Sequence, residues 1–230
     1  MAAGLGTRFG DLTNQYPKGF IEVGGKPMVI SSIENLITQG IERIIIGTGY
    51  KHEVYDSLKS KYPQIETCYS HRYAETNSMY TLYNTKQLIG DNDFLLLESD
   101  IIYEPKAIRY LLDYNKQDVM LASPVLKFQD QYYVEYNKDH NLVNCSTDRD
   151  ALNPMGEMIG IHKISNRFYS LMWNDYHAKV LDYPKLGYEF EMLHIAQTAL
   201  PLSVLKPEGL KWYEIDDERD LEYAEKIITN

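Results

Sequence analysis

Short apolar runs alternate along the chain with longer stretches in which apolar residues return every three or four positions, and this alternation predicts strands joined by helices. The first half carries it most clearly. An amphipathic stretch over 28–39 leads through Gly40 into an apolar run at 43–47. A second, over 50–61, stops before Pro63 and a strand at 65–69, and a third, over 79–89, feeds a strand at 94–98. Phe94-Leu95-Leu96-Leu97 is unbroken by polar residues, as a central strand covered on both faces must be, and it ends abruptly in Glu98-Ser99-Asp100. A helix over 105–115 and a strand over 119–122 follow. Across 132–145 the rhythm changes to short alternating runs around Lys138-Asp139-His140-Asn141, which predicts a β-hairpin. A strand at 159–164, helices at 166–179 and 189–200, strands at 202–206 and 211–214, and a last helix at 218–228 complete the reading.

Repeated strand–helix–strand order implies an α/β fold with a doubly wound, mostly parallel, Rossmann-like sheet. At 230 residues the chain is read as one domain over 1–230, with a smaller lobe beginning near 126. A formal net charge of -10 argues against a nucleic-acid or anionic-membrane surface, since both demand clustered Lys and Arg, and leaves small-molecule chemistry as the expectation. No apolar run approaches the roughly 18 residues needed to span a bilayer, and no secretory signal is read at the start, so a cytoplasmic protein is expected. Cys68 and Cys145 have no Cys-x-x-Cys spacing and read as buried free thiols, and the six histidines show no zinc-ligand spacing. A homodimer is compatible with all of this.

The opening stretch is the richest in chemistry. Ala2-Ala3-Gly4-Leu5-Gly6-Thr7-Arg8-Phe9 is followed by Tyr16-Pro17-Lys18-Gly19-Phe20 and by Gly24-Gly25-Lys26-Pro27-Met28. Glycines let backbone N–H groups approach phosphate oxygens, and Arg8 and Lys18 supply charge. A glycine-rich loop alone reads equally well as a structural turn. Neither the P-loop pattern nor G-x-G-x-x-G is present, which counts against P-loop ATPases and dinucleotide oxidoreductases.

Taken together, Ala-Ala-Gly-Leu-Gly-Thr-Arg, Pro-Lys and Gly-Gly-Lys-Pro-Met resemble the signature of the sugar-nucleotidyltransferase-like family. The resemblance implies that Ala3, Gly4, Gly6, Thr7, Arg8 and Lys18 bind a nucleoside triphosphate. Asn77 and Ser78 would lie near its base and ribose, with Ser99 also among the nucleotide-binding residues. It divides the chain into a nucleotide-binding part at about 1–125 and an acceptor lobe with a C-terminal metal-ligand segment at about 126–230. Family members carry an apolar strand before this loop, whereas the sequence starts directly on it. The expectation is a native strand before Met1, because a missing central strand would leave its neighbours with unpaired backbone groups.

Transfer of a nucleotidyl group requires the triphosphate charge to be neutralised, and Mg2+ held by one or two carboxylates is the usual means. Asp100, at the C-terminal end of the most apolar strand, stands where open α/β sheets place their ligands, although a helix cap is the plainer alternative. Asp216, in Glu214-Ile215-Asp216-Asp217, would by itself read as a capping turn. The resemblance assigns it instead as the second metal ligand, because a matching Glu-Ile-Asp motif carries that aspartate in the family. Asp100, Lys18 and Arg8 are therefore the expected catalytic residues.

For the acceptor, Gly47 to Tyr50, Tyr73 to Met79 and Tyr213 to Asp216 are similar to the phosphocholine cytidylyltransferases. Resemblance to the 2-aminoethylphosphonate cytidylyltransferases is closer still and takes in Ile46 to Gly49, Leu95 to Tyr103, Asp148 to Leu152, Gly156 to Gly160 and Tyr188 to Glu191. A quaternary ammonium has no N–H and needs an aromatic cage, whereas a primary ammonium donates to carboxylates. Tyr132, Tyr133 and Tyr136 could form part of a cage. Asp148, Asp150, Glu157, Glu189 and Glu191 supply acid, and Arg149 is the candidate partner of a phosphonate, with a structural salt bridge as its equal alternative. The expected acceptor-binding set is Arg149, Asp150, Glu157, Glu189, Glu191 and Tyr133. The carboxylates tilt the expectation toward CMP transfer from CTP to 2-aminoethylphosphonate. Phosphocholine stands as the alternative, and a sugar 1-phosphate transferase or an inactive nucleotide-binding regulator stands behind it.

Overall fold

The computed structural model describes residues 1–13, 15–127 and 131–228. A short hairpin, β1 (Glu22–Val23) and β2 (Lys26–Pro27), precedes α1 (Met28–Thr38); β3 (Ile44–Thr48), α2 (His52–Ser57) and β4 (Ile65–Tyr69) follow. Next come α3 (Ser78–Asn84), α4 (Lys86–Ile89), β5 (Phe94–Leu97), β6 (Ile101–Tyr103), α5 (Lys106–Asp113) and β7 (Val119–Ser123). The second half runs through β8 (Tyr133–Tyr136), β9 (Leu142–Ser146), β10 (Gly156–Ile164), α6 (Asn166–Lys179), α7 (Tyr188–Thr198), β11 (Ser203–Leu205), β12 (Trp212–Glu214) and α8 (Glu218–Ile228).

The central sheet has the order β11-β7-β10-β8-β9, with β5 also paired to β10. Strand β10 runs antiparallel to both β5 and β7, and β11 is parallel to β7, so β5, β7 and β11 share one direction and β10 is the reversed strand among them. Strand β10, from the second half of the chain, pairs with β5 from the first. Side chains alternate between two cores, as a sheet covered on both faces requires. Leu96, Met120, Ala122, Met158 and Ile164 pack on one side with residues of α3, α6 and α7. Val119, Leu121, Ile159 and Ile161 pack on the other with Val29, Ile33 and Leu36 of α1 and Ala107, Ile108 and Leu111 of α5.

Strands β3 and β4 form a separate parallel pair. Between β3 and β5 runs an apolar cleft of about 240 Å3, bordered by Ile44, Ile46, Leu95 and Leu97 and floored by Ile33. The first two residues cross its end: the Met1 amine donates to the Leu97 carbonyl at 2.5 Å, and the Ala2 amide donates to the Gly47 carbonyl at 2.8 Å.

Several expected elements differ in extent. The helix read over 50–61 is α2 followed by a 3-10 turn at Leu58–Ser60. The one read over 79–89 is divided at Thr85, whose hydroxyl donates to the Leu82 carbonyl at 2.6 Å, the local competition for helical acceptors that threonine offers. Strand β6 was absent from the pattern, because three apolar residues cannot register a period of two. Of the two cysteines, Cys145 is buried and free, but Cys68 is only half-buried and points its thiol at the Asn84 carbonyl. Among the described residues no helix is long and apolar enough to cross a membrane.

Candidate active site

Antiparallel pairing of β6 with β12 brings the two ends of the chemistry together. Ile101 lies opposite Glu214, and the next amide, that of Ile215, donates to the Asp100 carbonyl at 2.9 Å. Asp100 and Asp216 therefore leave neighbouring backbone, and both accept from the Lys18 ammonium, at 2.7 and 2.8 Å. Arg8, in the 3-10 turn Thr7–Thr13, donates to the same Asp216 oxygen at 2.9 Å. Burial works against the charge on Lys18, yet Asp100 and Asp216 more than offset it and hold the ammonium above its ordinary pKa. Burial likewise opposes ionisation of Asp100, and Lys18 overrides it, keeping that carboxyl below its usual value.

Beside this array Ala3, Gly4, Asn77, Ser78, Glu98, Asp100 and Tyr188 line a pocket of about 170 Å3. Asn77 caps α3, its side-chain oxygen accepting from the Ser78 amide at 2.8 Å, and the Ser78 hydroxyl accepts from the Tyr188 amide at 3.0 Å. The glycine loop is held close to β3: a Cβ on Gly49 would lie 2.5 Å from the Ala3 carbonyl oxygen. Thr13 donates to the Gly6 carbonyl at 3.1 Å, which closes the turn that starts at Thr7. Ser99 packs against Gly19, next to Lys18.

The structure adds acids that the sequence reading did not select. Glu98 and Glu214 each present a carboxylate oxygen that, with one from Asp100, forms a set mutually within 4.8 Å. Oxygen donors of this kind suit a hard divalent cation, and Asp216 offers a further one, a buried Oδ2 without a hydrogen-bond partner. Burial, then the neighbouring Asp100 and Glu189, push Glu98 up to about 8; burial pushes Glu189 up to about 7. Glu214 is raised well above the carboxylate range by burial and by Asp100. Lys127 is a second addition. It donates to the Glu214 carbonyl at 2.7 Å and to Asp220 at 2.9 Å, and lies over the Tyr213 ring, which braces the Asp216 segment.

The expected acceptor residues divide. Glu189, buried in the first turn of α7, belongs to the acidic group. Glu157 instead accepts from the Leu126 and Lys127 amides at 3.0 and 3.2 Å and fixes a loop. Glu191, fully buried, pairs with Lys179 at 2.9 Å and ties α7 to α6. Tyr133 is buried, with its hydroxyl donated to the Lys127 carbonyl at 3.3 Å. These three are held by structural partners, because their strand and helix faces turn into the core. Arg149 and Asp150 sit exposed on the 3-10 turn Arg149–Ala151 after β9, outside the buried acidic group.

Residues 1–131 match the nucleotidyl transferase family model. The chain belongs to that family. It is 34% identical over 108 residues to a 2-aminoethylphosphonate cytidylyltransferase of Lancefieldella rimae, a match covering 47% of this chain and 44% of that protein. Against a choline-phosphate cytidylyltransferase of Streptococcus pneumoniae it is 28% identical, over 100% of this chain and 97% of the relative. The solved CTP:phosphocholine cytidylyltransferase of Streptococcus pneumoniae superposes with a TM-score of 0.81 at 24% identity, covering 99% of this chain and 96% of that one, and so shares the mixed α/β fold with its mostly parallel sheet. The enzyme is thus a nucleotidyltransferase with cytidylyltransferases among its relatives.

Proposed function

We propose that this nucleotidyltransferase moves CMP from CTP to 2-aminoethylphosphonate, releasing pyrophosphate. The observation that carries the transfer is the Lys18–Asp100–Asp216 array beside a pocket lined by the glycine loop and by Asn77 and Ser78. Aligned relatives that act as cytidylyltransferases support CTP as the donor. A surplus of buried carboxylate next to Asp100 supports an acceptor that brings a positive charge with N–H donors.

Asp100 and Asp216 would hold Mg2+, which when bound neutralises triphosphate charge. Lys18 and Arg8 place two further positive groups at the same aspartates, where they can stabilise charge that develops as a phosphonate oxygen joins the α-phosphorus and the bond to pyrophosphate breaks. The attacking oxygen is already ionised near neutral pH, so the chain needs to position it rather than deprotonate it. Asn77, Ser78, Ala3, Gly4, Gly6 and Thr7 supply the walls for the base, ribose and phosphates.

A rival acceptor, phosphocholine, draws support from rings near the acids: Tyr132 meets Phe190 edge-on at 5.6 Å. A pyrophosphate-release screen pairing CTP or UTP with 2-aminoethylphosphonate, phosphoethanolamine, phosphocholine and glucose 1-phosphate tests the assignment. CTP with the aminophosphonate should give the fastest release and a product with the mass of its CMP adduct; UTP with the sugar phosphate giving it would overturn both choices.

A further inference from the structure

Glu98 is built into the fold at some cost. Its carboxylate lies where β10 passes Gly160, and a Cβ on that glycine would stand 2.5 Å from Glu98 Oε2 and 3.0 Å from Cδ. Gly160 itself has φ +77, and the pairing of β10 with β7 shifts register between Met158 and His162, the mark of a bulge. A central strand is thus distorted to make room for one acidic side chain.

Further groups fix that side chain's direction. Tyr188 donates its hydroxyl to Glu98 Oε1 at 2.8 Å and lies 3.3 Å from His162 Nε2. A tyrosine hydroxyl has one proton; once Glu98 is ionised, as it is when paired with an ammonium, that proton is committed to Glu98, and the bond from His162 is then donated by Nε2–H. That tautomer leaves Nδ1 as a bare lone pair, in keeping with its burial without a partner. The relay runs His162 to Tyr188 to Glu98 and presents Glu98 as an acceptor.

Charge accounts for the rest. Asp100 and Asp216 have Lys18 and Arg8 as partners, whereas among the described residues neither Glu98 nor Glu189 forms an ion pair with Lys or Arg. Glu189 is 4% exposed, its Oε2 is without a hydrogen-bond partner, and its charge acts directly on Glu98. The Met1 amine acts on Glu98 but donates to the Leu97 carbonyl, so a ligand that brings an ammonium can still pair with these two buried carboxylates and recover the cost of their charge.

From this arrangement we infer that Glu98, with Glu189 as the second carboxylate, receives the acceptor's primary ammonium, and that Tyr188 and His162 are positioning residues that hold Glu98 for it. The inference rests on the reading that the acceptor bears a primary amine. It makes Glu98 a specificity residue rather than a metal ligand, although its carboxylate also lies within reach of Asp100 and Glu214.

The test compares kcat/KM, with CTP and Mg2+, for 2-aminoethylphosphonate and for propylphosphonate, which carries a methyl group in place of the ammonium. In Glu98→Gln and in Glu189→Gln the ratio of the two should fall at least about tenfold, because a neutral amide cannot pair with the ammonium. In Tyr188→Phe the ratio should fall through a raised KM for the aminophosphonate, with kcat nearly held. An unchanged ratio, whether both acceptors slow together as loss of a metal ligand would cause or neither slows, overturns the inference. CTP binding by calorimetry reports folding; if Glu98→Gln fails to bind CTP, Glu189→Gln decides. Wild-type enzyme that ignores the aminophosphonate and turns over phosphocholine sinks the acceptor reading and this inference with it, whereas wild-type turnover with unchanged variant ratios sinks only the inference.

Discussion

The amide of Ile215 donates to the carbonyl of Asp100 at 2.9 Å, and this contact joins two segments that are far apart in sequence into one carboxylate site. Because it is a backbone bond, it survives replacement of either aspartate side chain. Asp100→Asn and Asp216→Asn should each bind CTP as folded proteins yet lose turnover by roughly a hundredfold or more, the scale seen when charge stabilisation is removed from a transition state. Steady-state rates at saturating Mg2+ check this. Near-normal turnover in either variant would remove that residue from the metal set.

Lys18 donates to both aspartates and is mostly buried, so its charge is held in place before any substrate arrives. Lys18→Met should lower kcat more than it raises KM for CTP, since a pre-placed charge acts on what develops in the transition state. A change confined to KM would make Lys18 a ground-state anchor.

Gly160→Ala places a methyl group against Glu98 at a positive φ. A stability loss of about 1–3 kcal/mol is expected by chemical denaturation, from backbone strain together with displacement of the buried carboxylate. Wild-type stability in this variant would show that the carboxylate has room to move.

His162 is fully buried, and burial brings its pKa down to about 3. A basic group depressed in the folded state contributes stability that is complete above the unfolded value near 6.5 and is lost as pH falls toward 3. Burial of Glu98, Glu189 and Glu214 acts with the opposite sign, so the comparison must be differential. The stability gap between wild type and His162→Gln should narrow by about 2 kcal/mol between pH 7 and pH 5 in urea unfolding, as linkage for one such histidine requires. A gap that stays constant would mean that His162 accepts a proton while folded.

Much of the architecture was legible because its signals are periodic: Phe94 to Leu97 read as a strand covered on both faces and is a strand, but only Leu96 is buried, because β5 pairs with β10 on one side and borders the apolar cleft on the other. Strand β6 was not legible, nor was the reversal of β10, since direction in a sheet is set by partners distant in sequence. Within the site, Arg8, Lys18, Asp100 and Asp216 were readable from their motifs, and the structure brings them together. Glu157, Glu191 and Tyr133 carried the right chemistry for an acceptor site, but a residue type does not reveal which way a side chain faces. Glu98 stood in plain view two residues before Asp100. Only the bulge at Gly160 and the hydroxyl of Tyr188 distinguish it from a strand-end acid.

Whether the acceptor is an aminophosphonate is decided by kcat/KM measured side by side with CTP and Mg2+ for 2-aminoethylphosphonate, phosphoethanolamine and phosphocholine. The aminophosphonate should exceed phosphocholine by at least about tenfold, roughly 1.4 kcal/mol, which one or two hydrogen bonds from the ammonium can supply. Phosphoethanolamine, which keeps the ammonium, should fall between them. Phosphocholine emerging as the best of the three would contradict the carboxylate reading and hand the acceptor site to Tyr132 and its neighbouring rings.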